Sequence, residues 1–250
     1  MATELRLFAV AGIPEVTPGA DLAALIADAV RRTGPAVEAG DVCVVAQKIV
    51  SKAEGALVRL AEVSPSPLAH DWATAHGLDP RVVEVVFRES RRIVRMDRGI
   101  VIAETRHGFV CANAGVDTSN VAPGFVTLLP RDPDESAEGL RSRLSEAFGC
   151  PTAAIVSDTF GRPWREGFVN VALGVAGLRP LIDYRGCVDP HGRRLHATVI
   201  ALADELAGAA EIVMRKTAAT PVAIIRGAAE WTGDGSGRML VREAGRDLFR

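Results

Sequence analysis

Three short apolar runs constrain this chain more than any other feature: Val42–Ala46, residues 153–156 and, behind Pro221, residues 222–225. Each is four or five residues long and bounded by turn formers, which suits a strand and is too short for a helix. A strand with no polar alternation is buried on both faces, so the sheet that holds it needs a covering layer on each side. The intervening segments supply candidates for those layers. Residues 20–32 place Leu22, Leu25, Ile26, Ala29 and Val30 on one helical face behind an available cap at Asp21. Residues 64–92 read as two helices, entered at Pro65 and Pro67 and divided by Gly77, Leu78, Asp79 and Pro80. Further helices are expected from about residue 135 to 148 and over residues 197–214, the latter carrying Asp204, Glu205 and Glu211. Strands are expected at residues 5–10, 93–94, 100–104 and 109–112. The stretch 167–184 is apolar and glycine-rich, and Gly174 and Gly177 there point to strands packed closely against a neighbour. A short closing helix is expected at Asp247, Leu248 and Phe249. The fold class that follows is mixed α/β (α+β).

Composition excludes several function classes. Hydrophobic content of 48% and charged content of 24% over 250 residues argue against long disorder. The net charge of −2 offers no basic field for nucleic acid, so an anionic ligand has to be caught by local arginines and lysines. Cys43, Cys111, Cys150 and Cys187 lack C-x-x-C spacing and read as buried reduced thiols rather than zinc ligands or disulfides. No stretch approaches the ~20 apolar residues of a spanning helix. Residues 1–6 carry charge at once, with no signal-like segment, so no membrane partner and a cytoplasmic location are expected. No repeat or long polar linker divides the chain, which reads as a single domain over residues 1–250, at most split into two sub-lobes.

Three polar stretches, residues 47–52, 113–120 and 158–165, are expected as loops at strand ends, where α/β scaffolds carry their ligands. Asp117 and Asp158 have hydroxyl or amide neighbours, which are hard oxygen ligands for Mg²⁺ or Mn²⁺. Lys48, Lys52, Arg162 and Arg165 supply cations for phosphate or carboxylate. That inventory suits phosphoryl transfer, although turn formation by Asp and Asn accounts for the same residues. No Walker loop, dinucleotide fingerprint, nucleophile elbow or zinc helix occurs. Trp164 beside the third stretch is placed either to stack on a planar ring or to pack in the core.

Four segments then coincide with one family. Lys48-Ile49-Val50-Ser51-Lys52-Ala53-Glu54-Gly55, Asn113-Ala114-Gly115-Val116-Asp117-Thr118-Ser119-Asn120-Val121, Leu128-Leu129-Pro130-Arg131-Asp132-Pro133-Asp134 and Asp158-Thr159-Phe160-Gly161-Arg162 resemble, in order, the coenzyme F420-0:L-glutamate ligase family. The likeness runs from Leu7 to the end, and the tail is most similar to the bacterial branch. Some members of that branch are fused to a flavin-binding domain; here the expectation is a stand-alone ligase domain. The resemblance implies a non-P-loop fold of mixed sheets, an intertwined homodimer, and a GTP-dependent ligase. That ligase would add L-glutamate, and further γ-linked glutamates, to coenzyme F420-0 through an acyl phosphate. It implies that Asp117, Asp158 and Thr159 hold divalent Mg²⁺ or Mn²⁺, with K⁺ as a candidate further cation. Ile13, Pro14, Glu15, Val16, Gln47, Lys48, Lys52 and Asn120 would line the GTP site, and Asp117, Asp158 and Lys52 would be catalytic. The run Met214-Arg215-Lys216-Thr217-Ala218-Ala219-Thr220 departs from archaeal members, which place an acidic metal ligand in a glycine-rich loop there. Lys216 is expected to meet a phosphate instead. Two other functions use the same residues: a metal-dependent nucleotide phosphohydrolase, and a non-catalytic nucleotide-binding regulatory protein.

Overall fold

The computed structural model describes residues 4–247. In chain order the elements are β1 (Arg6–Val10), α1 (Leu22–Thr33), β2 (Val42–Ala46), α2 (Gln47–Ala53), β3 (Leu57–Arg59), α3 (Pro67–His76), α4 (Pro80–Glu89), β4 (Ser90–Asp97), β5 (Ile100–Thr105) and β6 (Val110–Ala112). There follow β7 (Phe125–Thr127), α5 (Pro133–Phe148), β8 (Ala153–Arg162), β9 (Arg165–Ala176), β10 (Ile182–Asp183), β11 (Val199–Ile200), α6 (Leu202–Met214) and β12 (Val222–Arg226).

The apolar runs are the middle of a five-stranded mixed sheet in the order β1-β12-β2-β8-β9. Strand β2 pairs parallel with β8, and all other neighbours in the sheet are antiparallel. Alternate residues of each central strand enter two separate cores. Cys43, Val45, Ala154, Val156, Val222 and Ile224 pack with α1 and α5. Val42, Val44, Ala153, Ile155, Ala223 and Ile225 pack with α6 on the other face. Full burial of side chains such as Ile26, Ile155 and Leu206 contributes about 1.5–3 kcal/mol each. A smaller third core joins α4, the sheet β4-β5-β6 and strand β7, with Val85, Val86, Val101, Ala103 and Val126 buried.

Helix starts follow the local chemistry. Asp21 accepts from the Ala24 N–H at 2.9 Å to cap α1, and Asp132 caps α5 with Pro133 at its first position. Asp134 then reaches beyond its helix, accepting from the Val175 and Gly237 N–H groups at 2.9 and 2.5 Å. It thereby covers part of the open edge of β9 with the tail. The expected close approach at Gly174 is present, because a Cβ there would lie 1.9 Å from the Pro133 carbonyl oxygen.

Several sequence expectations need correction. Strand β8 does not end at residue 156 but continues through Arg162, paired with β9 as a hairpin turned at Pro163 and Trp164. Phe160, Val169 and Val171 favour that pleat, although the hairpin is too exposed to show an apolar run. Residues 47–52 form helix α2 rather than a loop. The second helix of the 64–92 stretch stops at Glu89, where β4 begins, and residues 199–200 pair with β10 before α6 starts at Leu202. Cys187 is exposed and Cys150 partly so, while Cys43 and Cys111 are buried; all four are free thiols. Of the expected closing helix, Leu248 and Phe249 lie outside the described residues.

Gly174→Ala is expected to destabilise the fold by about 3 kcal/mol, since the added methyl would displace backbone rather than a flexible side chain. A denaturant midpoint unchanged from the wild type would show that the α5–β9 contact is looser than described.

Candidate functional site

Strand directions bring four segments to one end of the sheet. β1 and β2 are each antiparallel to β12 and β2 is parallel to β8, so the carboxyl ends of β1 and β2 and the middle of β8 lie beside the amino end of β12. The Ala46 N–H donates to the Pro221 carbonyl at 2.8 Å there, and Ser157 is paired with Ala46. The segment after β1, helix α2 after β2, the middle of β8 and the loop before β12 therefore border one cleft. A fifth wall comes from residues 113–120, beyond β6. The cleft has a volume of about 950 Å³. Every residue that the family resemblance places at the site lines it: Ile13, Pro14, Glu15, Val16, Gln47, Lys48, Lys52, Asp117, Asn120, Asp158, Thr159 and Lys216.

The wall at residues 113–120 is held in an unusual backbone conformation. Asn113, Ala114 and Gly115 have φ of 51°, 51° and 73° in succession, which side chains with a Cβ adopt only at a cost of about 1–2 kcal/mol each. Asn113 is tied down by its Oδ1, which accepts from the Val101 N–H at 3.1 Å. A Cβ on Gly115 would sit 2.6 Å from Leu129. The turn aims Asp117 across the cleft at α2. Lys48 Nζ lies 2.7 Å from Asp117 Oδ2 and donates to Ser119 Oγ at 2.6 Å, and the Ser119 N–H donates to Asp117 Oδ1 at 2.6 Å. On the same helix, buried Lys52 meets Glu15 Oε1 at 2.6 Å, and buried Gln47 donates to Ser51 Oγ and the Leu128 carbonyl.

The two aspartates are set in opposite electrostatic states. Burial disfavours the Asp117 carboxylate, but hydrogen bonds from Lys48 and the Ser119 N–H outweigh it and hold the group below the ordinary carboxylate range. Asp158 is more deeply enclosed, and burial pushes its carboxyl up to about 6. The Thr159 N–H and Lys216 oppose that rise, and Asp117 adds to it. Beside Asp158, Thr159 Oγ1 donates to Asn170 Oδ1 at 2.6 Å and accepts from Lys216 Nζ, and Asn170 Nδ2 donates to Glu211 Oε2 at 3.1 Å. Ser157 Oγ is buried with no hydrogen-bond partner, a condition that costs about 1–3 kcal/mol unless a ligand answers it.

This donor set fits a Mg²⁺- or Mn²⁺-class ion in a particular way. Among the described residues no group of three or more His, Cys, Asp or Glu is disposed to hold a metal. Mg²⁺ is commonly held by only one or two carboxylates with phosphate oxygens completing its shell, and Asp117 and Asp158, which line the same cleft, meet that pattern. No described helix is long and apolar enough to cross a membrane.

Some expectations fall elsewhere. Arg162 donates to the carbonyls of Glu166 and, at 3.3 Å, Gly167, within the hairpin and away from the cleft lining. Trp164 is 81% exposed at the hairpin tip, so the core alternative for it is wrong. Asp204, carried on α6, is occupied by the sheet instead: its Oδ1 accepts from the Ala172 N–H at 2.8 Å, where β9 carries a bulge. Sequence reasoning missed Ser157, Phe168, Asn170 and Glu211 as cleft residues. Glu211 lies seven positions after Asp204, on the same face of α6, but no local pattern in the sequence links it to Asn170.

Comparison with known proteins agrees on one family. The family model described as F420-0:Gamma-glutamyl ligase matches residues 12–227. A coenzyme F420:L-glutamate ligase from Methanothermobacter thermautotrophicus is 48% identical over 98% of this chain and 99% of its own length. Proteins of the same name from Methanopyrus kandleri and Methanocaldococcus jannaschii are 48% and 44% identical, covering 94% and 86% of both chains.

The raised Asp158 carboxyl has a measurable consequence. Below about pH 3 it is protonated in most molecules whether the chain is folded or not, so Asp158→Asn has almost no charge effect on stability there. As pH rises from 3.8 to about 6 the unfolded chain ionises first and the wild type loses stability, and above that the deficit is constant. At pH 7.5 Asp158→Asn is expected to be more stable than the wild type by on the order of 3 kcal/mol, and nearly equal to it at about pH 3. Chemical denaturation at the two pH values measures this, and equal stability at both would overturn it.

Proposed function

The chain belongs to the F420-0:gamma-glutamyl ligase family and is a ligase that forms amide bonds, and on that premise we propose that it joins L-glutamate to the side-chain carboxylate of coenzyme F420-0 at the expense of GTP. The observation that supports this most is the meeting of Asp117, Asp158, Lys48, Lys52 and Lys216 around one cleft of about 950 Å³. A cleft of that size holds a nucleotide beside a second substrate.

The proposed reaction has two steps. A carboxylate oxygen of the acceptor attacks the γ-phosphorus of GTP, the bond to the β–γ bridging oxygen breaks, and GDP leaves with that electron pair. The free amine of glutamate then attacks the acyl carbon, phosphate departs with the bonding pair, and the nitrogen gives up its surplus proton. Asp117 and Asp158 would hold a divalent ion, which when bound would neutralise charge on the phosphate oxygens and raise the electrophilicity of the γ-phosphorus.

The remaining work falls to the chain's own groups. Lys52, buried on α2 and already paired with Glu15, is a fixed cation that phosphate oxygens can share without the cost of ordering a free lysine. Lys48 spans from α2 to Asp117 and Ser119, so it links the wall at residues 113–120 to the helix that faces the phosphates. Asn120, at φ 54°, turns the chain near Asp117 and lines the same space. Ile13, Pro14 and Val16 give the cleft an apolar margin suited to a base and ribose. We also assign to the exposed Trp164, Phe168 and Ile212 the surface covered in a homodimer.

Purified protein with GTP, Mn²⁺, L-glutamate and coenzyme F420-0 is expected to yield products heavier by one or more glutamyl units in mass spectrometry. Asp158→Ala should abolish them, and Lys52→Ala should lower kcat/KM by about 100-fold or more. GTP hydrolysis without glutamylation would favour the phosphohydrolase, and bound GTP with no turnover the regulatory protein. In sedimentation, Trp164→Ala with Phe168→Ala is expected to shift a dimer towards monomer, and an unaffected dimer would remove that assignment.

A further inference from the structure

Lys216 lies in a loop the fold holds under tension. Arg215 and Ala219, on either side of it, have φ of 55° and 52°, a region that L-residues with a side chain avoid. Thr220 closes the loop by donating its hydroxyl to the Met214 carbonyl. From that clasped start the side chain, 63% exposed along its length, carries its Nζ to Thr159 Oγ1, with Glu211 Oε1 3.9 Å away.

The polarity of the surrounding bonds runs in one direction. The Thr159 hydroxyl spends its proton on Asn170 Oδ1 at 2.6 Å, so only its lone pairs face Lys216. Asn170 in turn spends an amide proton on Glu211 Oε2 at 3.1 Å, which orients that carboxylate with its other oxygen towards the ammonium. Asp158, adjacent along β8, is close enough for the Lys216 charge to favour its ionised form. A hydroxyl oxygen presented by its lone pairs, a carboxylate oriented through an amide, and a second carboxylate beside them are the ligands a hard cation requires. Here an ammonium already satisfies them.

We propose that Lys216 is a built-in cation occupying the Thr159–Glu211 side of the cleft, so that the site takes one divalent ion per nucleotide, at Asp117 and Asp158, and not two. This rests on the nucleotide-binding reading above and adds the metal stoichiometry to it. A divalent ion drawn to Thr159 Oγ1 would have to displace an ammonium, since the two cations repel at that separation and compete for the same lone pairs. Lysine also suits the task because it is a compact point charge that contacts a phosphate oxygen without a fixed fork geometry. Thr159 and Glu211 are then positioning residues for Lys216, and Asn170 sets the orientation of both.

Mn²⁺ binding to the purified chain, followed by the loss of free-ion EPR signal at pH 7.5 with a non-hydrolysable GTP analogue, tests this without turnover. The wild type is expected to bind one Mn²⁺ per chain and Lys216→Ala two, with Lys216→Arg remaining at one. Lys216→Ala combined with Glu211→Gln should return to one, because the vacated position then lacks its carboxylate. Two ions in the wild type, or one in Lys216→Ala, would overturn the proposal, and the wild-type count decides even if a variant folds poorly. A wild type that binds neither analogue nor Mn²⁺ would instead bring down the nucleotide-binding reading itself.

Discussion

The parallel pairing of β2 with β8, inside a sheet covered on both faces, is the constraint on which the rest of this molecule depends. Parallel neighbours deliver their carboxyl ends to the same edge, and apolar runs of four or five residues leave no room for polar groups before that edge. Polar chemistry is therefore expelled from the core at one place. Placing β12 antiparallel between β1 and β2 adds the amino end of β12 and the carboxyl end of β1 to the same edge. The cleft is thus a consequence of strand direction, and the lobe carrying residues 113–120 needs only to close its open side.

Within the cleft the electrostatics are held in balance by pairs that cost something to keep. Asp117 is ionised against burial by Lys48 and a backbone N–H, whereas Asp158 lacks enough donors and its carboxyl rises to about 6. The orphan hydroxyl of Ser157 and the left-handed residues Asn113, Ala114, Arg215 and Ala219 add further local cost. None of these features helps the empty protein fold. Each makes sense if the free energy is recovered when anionic oxygens and a cation enter, which is how binding sites commonly trade stability for readiness.

Much of this was legible in the residues, and the part that was not had physical reasons. The central strands, the capped helix α1, the division between α3 and α4 and the close approach at Gly174 follow from apolar runs, caps and glycine placement, which are local signals. The candidate residues Lys48, Lys52, Asp117, Asp158 and Lys216 meet in one cleft because motifs at strand ends converge when the strands do. The distal half of β8 was not legible, because its partner β9 and the solvent, rather than a core, surround it, and exposed strands show no apolar period. Asn170 and Glu211 were invisible for a different reason. An amide in mid-strand and a carboxylate near a helix end acquire meaning only through neighbours 41 residues apart in sequence, and the spacing of those two carries no local pattern.

Strand order has one more consequence, for the time course of folding. The last strand of the central sheet among the described residues, β12, sits between β1 and β2, which come from the first fifth of the chain. No hydrogen-bonded ladder can join β1 to the rest until residues 222–226 have emerged from the ribosome. Loops of such length are slow to close, because their entropy is lost before any contact compensates it. During synthesis the edges of β1 and β2 stay open and apolar, so the growing chain is most exposed to misassembly just before its final strand arrives.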